Sequence, residues 1–215
     1  MLEQLCRASF QQIFVDDVAR TLHRCFPYVT PTQYTTFGAI VGVISACFIG
    51  AYDRPMACGL LLLSGYVDVL DGTIARISNQ CTKLGCAMDI FCDRVVEAAV
   101  VCGFYAADPV GRGWYCLCMM GSILLCVTSF LLAAVFPIQE QTKQSNSQAP
   151  KKTFHYSGGI IERAEAFGFF LFMIVFPEWF SQLSIIFSCL TMLTTAIRMK
   201  EFIQGHSLQG DDKKD

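Results

Sequence analysis

Four aspartates, Asp68, Asp71, Asp89 and Asp93, stand in a stretch otherwise composed for a bilayer, DVLDGTIARISNQCTKLGCAMDIFCDR at residues 68–94. Asp68 and Asp71 are three residues apart and Asp89 and Asp93 four apart, so on two helices each pair shares a face. If those helices form an antiparallel hairpin that turns near Gln80, the pairs reach matched depths and four carboxylates meet. A charged side chain in a bilayer costs about 2.5–3.5 kcal/mol even on lenient insertion scales. Gathered anions also repel, more strongly in a low dielectric. Hard divalent cations resolve both difficulties: carboxylate oxygens suit Mg²⁺ or Mn²⁺, and two such ions form the clamp used for phosphoryl chemistry. At ~1.5 Å per helical residue, Asp71 falls about 10 Å inside the end of its helix, a depth at which a lipid phosphate meets a water-soluble partner. Pairing with Arg76, Arg94 and Arg163 alone leaves the cluster net negative.

The elements that must position these groups are membrane helices. The 215 residues suit one domain, but 53% hydrophobic content with 18 phenylalanines, at a mean hydropathy of +0.45, is high for a soluble one. Gln33 to Tyr52, Trp114 to Phe136 and Trp179 to Ile197 lack any charge and are long enough to span. Met56 to Ile77, Leu84 to Ala107 and Ile160 to Phe176 are apolar but carry charges that need a purpose. Every proline from Pro27 to Pro177 falls between these six spans, where a residue without an N–H belongs. Thr30-Pro31-Thr32-Gln33 reads as a helix start with a capping box. Upstream, Phe10, Phe14, Val18, Leu22 and Cys25 recur on one helical face, which predicts an amphipathic helix along the membrane surface. No signal or transit peptide is expected there. The fold expected is therefore all-α: an amphipathic interfacial helix over residues 1–29, six transmembrane helices over 30–200 and a polar tail over 201–215.

Orientation follows from the basic residues. With six spans, Arg7, Arg20, Arg24, Arg76, Lys83, Lys143, Lys151, Lys152 and the basic residues after Ile197 share one side, against Arg54 and Arg112 opposite. Both termini and the aspartate hairpin are expected to face the cytosol. The 12 cysteines form no C-x-x-C pair and mostly lie in spans, so they read as small apolar packers rather than disulfides or a zinc site. His23, His155 and His206 share no face. No nucleic-acid partner is expected.

Asp68-x-x-Asp71-Gly72-x-x-Ala75-Arg76, eight residues, then Gly85-x-x-x-Asp89-x-x-x-Asp93 resembles the complete signature of the CDP-alcohol phosphotransferase family. The resemblance implies transfer of a substituted phosphate from a CDP-linked donor to a small alcohol with release of CMP, two divalent metals, Mg²⁺ or Mn²⁺, and a homodimer. It implies Asp68, Asp71 and Asp89 as metal ligands, with Asp93 a further ligand and the general base. Gly72, Ala75, Arg76, Thr82 and Gly85 would bind the CDP donor. Gly72, Ala75 and Gly85 lack bulky side chains, which admits either a nucleotide or a close helix. Thr82 and Lys83 also read as surface residues of a tight loop.

The chain is shorter than the choline and ethanolamine members, which points to the branch that uses CDP-diacylglycerol. Asn79-Gln80-x-Thr82-x-x-Gly85 with Asp93-Arg94 resembles eukaryotic phosphatidylinositol synthases. Ser157-Gly158-Gly159-Ile160-Ile161-Glu162-Arg163-Ala164-Glu165 is similar to prokaryotic members that make phosphatidylinositol phosphate. Arg163, with Lys151 and Lys152, is then the candidate acceptor site, against a role for Arg163 as partner to Glu97, Glu162 or Glu165. Inositol is the favoured acceptor, with glycerol 3-phosphate and serine as alternatives. If the source is eukaryotic, the endoplasmic reticulum is expected over the mitochondrial inner membrane. An ion or metal transporter is the competing class, because intramembrane carboxylates also mark ion pathways. The sequence shows neither the interrupted helices nor the inverted halves that would support it.

Overall fold

The computed structural model describes residues 15–26, 28–135 and 163–211, and among them every regular element is helical. In chain order the helices are α1 (Asp17–Cys25), α2 (Pro31–Gly50), α3 (Arg54–Ile77), α4 (Lys83–Ala107), α5 (Pro109–Val135), α6 (Arg163–Val175) and α7 (Phe180–Asp211), with a 3₁₀ turn at Pro177–Trp179. Pro31, Pro55 and Pro109 each fall in the first turn of a helix, where the missing N–H costs nothing. Gln33 Oε1 accepts from the Thr30 N–H at 2.9 Å, the reciprocal half of the expected capping box. Asp53 starts α3 by accepting from the Met56 N–H at 3.2 Å.

Among the described residues four stretches are long and apolar enough to cross a bilayer: Pro31–Gly50, Arg54–Ile77, Pro109–Ala133 and Pro177–Gln204. Length and composition therefore bear out four of the six expected spans among the described residues. α4 is long enough at 25 residues, but Asp89, Asp93, Arg94 and Glu97 lie within it. Ala164–Val175 is apolar and shorter, since the described part of the fifth expected span begins at Arg163. Apolar side chains such as Phe37, Ile40, Leu62, Leu63, Leu124, Leu125, Ile185 and Ile186 remain exposed along these helices, the outer surface of an integral membrane protein.

The chain divides into two compact units, residues 1–116 with 170–177 and residues 117–169 with 178–215. In the first, α2 packs along both α3 and α4, and α1 packs on α3. Among the described residues no comparable packing joins α3 to α4 directly. The aspartate-bearing helices are thus held by a third helix rather than by each other. The seam is built from small residues on α2, Gly38, Gly42 and Ala46, one turn apart. A Cβ on Gly42 would lie 2.7 Å from Val96 and 2.8 Å from the Ser64 hydroxyl, and one on Gly103 would lie 2.5 Å from the Ala46 carbonyl oxygen. Buried serines cross-link the seam: Ser64 Oγ donates to the Gly38 carbonyl and Ser45 Oγ to the Ala57 carbonyl, both at 2.8 Å.

The apolar stripe expected on the N-terminal helix is offset in the structure. Val15 and Ala19 are the buried residues, packed on Leu70 and Ile74 with Leu22 alongside, whereas Val18 and Cys25 are exposed and Phe10 and Phe14 lie outside the described residues. Val15, Val18, Ala19, Leu22 and Cys25 lie on one broad side of this short helix, and spacing alone did not select which edge of it meets α3.

In the second unit, Phe169 packs edge-on against Phe187 with ring centroids 5.6 Å apart. The Arg198 guanidinium lies 6.0 Å from the Phe130 ring centre. α7 continues to Asp211, so the backbone of the expected polar tail is helical over much of its length.

Candidate active site

Two local devices set the hairpin. α3 ends in a Schellman motif: Gln80 N–H donates to the Ala75 carbonyl at 3.0 Å, Asn79 N–H to the Arg76 carbonyl at 3.4 Å, and Asn79 takes a left-handed φ of 54°. Asparagine tolerates that conformation better than most non-glycine residues. α4 then starts on Thr82, whose Oγ1 accepts from the Gly85 N–H at 2.9 Å. Thr82 therefore has a capping role that the expectation of a plain loop residue missed. A Cβ on Gly85 would sit 3.1 Å from that hydroxyl, so glycine also suits the cap.

The turn brings Asp68 and Asp71 of α3 to Asp89 of α4, with one carboxylate oxygen of each within 4.8 Å of the others. Asp71 is buried at 5% exposure, and its Oδ2 has no hydrogen-bond partner. A buried charge without a partner is costly, so this is a place where the fold tolerates strain. Asp93 lies one turn beyond Asp89, outside this group of three, 4.0 Å from Arg94. Arg94 makes its short ion pair, 2.6 Å, with Glu97 on the same helix. The buried Cys92 lies within electrostatic range of all four aspartates, which places Asp93 in the same neighbourhood as the triad.

Of the residues expected at the donor, Gly72 is the most telling. A Cβ there would meet nothing within 4 Å among the described residues, so helix packing does not account for this glycine. Ala75 is half-buried, and Arg76 donates to the Thr73 hydroxyl at 3.0 Å, one turn back. Lys151 and Lys152 lie outside the described residues, and Arg163 is the first residue of α6. Sequence reasoning missed Thr35, a buried α2 residue near the Asp71 carboxylate, whose hydroxyl donates to the Pro31 carbonyl at 3.2 Å. Its only sequence signal was its place one turn after Pro31.

The donor set fits a divalent cation. Three carboxylates offer hard oxygen ligands, and Asp71 Oδ2 is a buried acceptor for which no described residue supplies a donor. Such a group can hold a cation and, through it, a phosphate.

Known proteins resemble this chain in sequence and in fold. The inner membrane protein YnjF of Escherichia coli K12 is 31% identical over 187 residues, covering 83% of this chain and 87% of that protein. The CDP-diacylglycerol–serine O-phosphatidyltransferase of Helicobacter pylori 26695 is 28% identical over 123 residues, 56% of this chain and half of that protein's length. Among solved structures, the phosphatidylinositol phosphate synthase of Mycobacterium tuberculosis with CDP-DAG bound shares the fold at a TM-score of 0.61 and 22% identity, over 86% of this chain and 91% of that one. The same enzyme has been solved with manganese and citrate, at a TM-score of 0.59 and 21% identity over 86% of this chain and 87% of that one. The CDP-alcohol phosphatidyltransferase family matches residues 28–197, which contain the whole aspartate hairpin, and this chain belongs to that family.

Proposed function

We propose that this protein is a phospholipid synthase that transfers the phosphatidyl group of CDP-diacylglycerol to a small polar alcohol, inositol, and releases CMP. The observation that carries this reading is the convergence of Asp68, Asp71 and Asp89 beside Gly72, with one buried carboxylate oxygen unused and open space over the glycine. Asp68, Asp71, Asp89 and Asp93 would hold two Mg²⁺ or Mn²⁺ ions, which when bound neutralise the diphosphate and make the acceptor hydroxyl more acidic. Asp93 takes the hydroxyl proton as the acceptor oxygen bonds to the phosphatidyl phosphorus. The bond from that phosphorus to the CMP oxygen breaks, and its electron pair leaves with CMP. Gly72, Ala75, Arg76, Thr82 and Gly85 line the donor's approach. Arg163, Lys151 and Lys152 bind the acceptor, a role suited to a guanidinium fork facing paired hydroxyls or a phosphate.

The wider architecture belongs to the same reading: six spans, an interfacial N-terminal helix, both termini cytosolic, a homodimer, and the endoplasmic reticulum as the site if the source is eukaryotic. Inositol is supported by the relatives named for phosphatidylinositol phosphate synthesis, and serine is the second reading because of the Helicobacter relative. The test is an acceptor screen with labelled CDP-diacylglycerol, purified protein and Mn²⁺, offering inositol, inositol phosphate, glycerol 3-phosphate and serine separately. Labelled phosphatidylinositol with stoichiometric CMP is the expected result. Product only with another alcohol would replace the acceptor, and no CMP with any alcohol would sink the enzyme reading in favour of ion transport.

A further inference from the structure

Asp89, Asp93 and Glu97 follow one another at four-residue steps, so α4 presents three carboxylates along one face. Arg94 stands beside that face, between the last two. It shares its nitrogens unequally: Nη1 lies 2.6 Å from Glu97 Oε2, and Nη2 lies 4.0 Å from Asp93 Oδ2. The first contact is a charge-assisted hydrogen bond, and the second is beyond hydrogen-bonding distance. We propose that Glu97 is a positioning residue for the aspartate site: by engaging Arg94 it holds that guanidinium off Asp93, so that the carboxylate can turn toward the other three.

The pair is not explained by stability. Glu97 and Asp93 are 13% and 11% exposed at the side chain, and the residues around them, Val95, Val96, Ala98, Ala99 and Val100, are apolar. In such surroundings two apolar side chains commonly serve a fold as well as a buried ion pair. Charge balance does not explain it either, because one cation and one anion leave the net charge of the cluster where it was. Position does. Asp93 lies one turn beyond Asp89 and outside the group formed by Asp68, Asp71 and Asp89, so it has to turn toward them to share a cation. A guanidinium closed on it would hold it back. Residues three apart on a helix face each other and adjacent ones do not, so Arg94 stays with Glu97 as long as Glu97 is there. Without Glu97, a shift of about 1 Å would bring Nη2 within hydrogen-bonding distance of Asp93.

The inference rests on the reading of the aspartates as a cation site, and the experiment separates the two claims. Mn²⁺ binding to purified, folded protein, without nucleotide or lipid substrate, is titrated by electron paramagnetic resonance of the free ion. The proteins are wild type, Asp71→Ala, Glu97→Gln, Glu97→Asp and the double variant Glu97→Gln with Arg94→Gln. Loss of binding in Asp71→Ala establishes the cation site, and wild-type binding in that variant overturns both claims together. With the site established, Glu97→Gln is expected to bind roughly 10-fold more weakly, the scale on which outer partners of metal ligands act. The double variant is expected to return to within about threefold of wild type, because the cation that Glu97 restrained is gone. Glu97→Asp keeps the charge but shortens the arm that holds Arg94, and is expected to lose about threefold or more. It also carries the test should Glu97→Gln fail to fold. Undiminished affinity in Glu97→Gln overturns the role. So does a double variant as weak as the single one, which would make Glu97 act without Arg94, and so does wild-type affinity in Glu97→Asp, which would assign the effect to charge alone.

Discussion

Gly103 and Gly72 lie on neighbouring membrane-length helices of one unit, yet their surroundings are opposite. A Cβ on Gly103 would collide with the Ala46 carbonyl, so that glycine exists to let two helix backbones touch. A Cβ on Gly72 would meet nothing within 4 Å among the described residues. The same contrast separates the charges. Arg94 and Glu97 satisfy each other at 2.6 Å within α4, whereas Asp68, Asp71 and Asp89 are like charges gathered with one buried oxygen unpartnered. The seam is closed and complementary, and the site is open and electrostatically incomplete. Groups left incomplete by a fold are candidates for ligand contact, because a sequence under selection for stability alone would not keep them.

Substitutions can break this contrast, beginning with the largest effect. Asp93→Asn is expected to lower turnover at least about 100-fold, the contribution typical of a general base, in a protein that still inserts and keeps its melting temperature. A CMP-release assay checks it, and activity above a tenth of wild type would remove Asp93 from that role.

Asp71→Asn tests the incomplete side directly. It removes a buried, repelled carboxylate, so metal-free protein should melt a few degrees higher, while added Mn²⁺ should no longer raise the melting temperature. Thermal scans with and without Mn²⁺ decide this, and a lower metal-free melting temperature would mean that the carboxylate is structural. Asp68→Ala should likewise abolish the Mn²⁺ shift, and the double variant should be little worse than the worse single one.

On the closed side, Gly103→Ala should destabilise the fold by about 1–3 kcal/mol, because the added methyl forces α2 and α4 apart. Unchanged thermal stability would dissolve the seam. Arg163→Ala should raise the acceptor KM roughly 10-fold while leaving CDP-diacylglycerol binding intact, with Lys a partial rescue because it lacks the guanidinium fork. A well-folded variant with unaltered acceptor kinetics would send the search for the acceptor pocket elsewhere.

The smallest expected effect sharpens the comparison most. Gly72→Ala adds the same methyl as Gly103→Ala, but into open space and with better helix propensity, so stability should hold or rise by up to about 1 kcal/mol. The KM for CDP-diacylglycerol should nevertheless increase several-fold. Opposite signs of stability change at two glycines, measured in the same detergent, are the signature of one seam and one site.

The carboxylate cluster was legible in the chain because its spacing is local. Helical periods of three and four residues put the carboxylates in pairs about a turn near Gln80, and Pro31, Pro55 and Pro109 mark helix starts. None of that depends on what packs against what. The packing itself was not legible, and the reason is the solvent. Lipid and protein interior are equally apolar, so hydropathy marks a helix for the membrane without saying which face meets a neighbour and which meets an acyl chain. The N-terminal helix shows this on a small scale: Val15 and Ala19 were chosen for the interior over Val18 and Cys25 by the position of Leu70 and Ile74, residues far along the chain. α2 shows it on the larger scale. Its glycines look unremarkable in sequence, and only the tertiary approach of α2 to α3 and α4 makes it the helix that holds the aspartates together, because a missing side chain matters only where another backbone comes close.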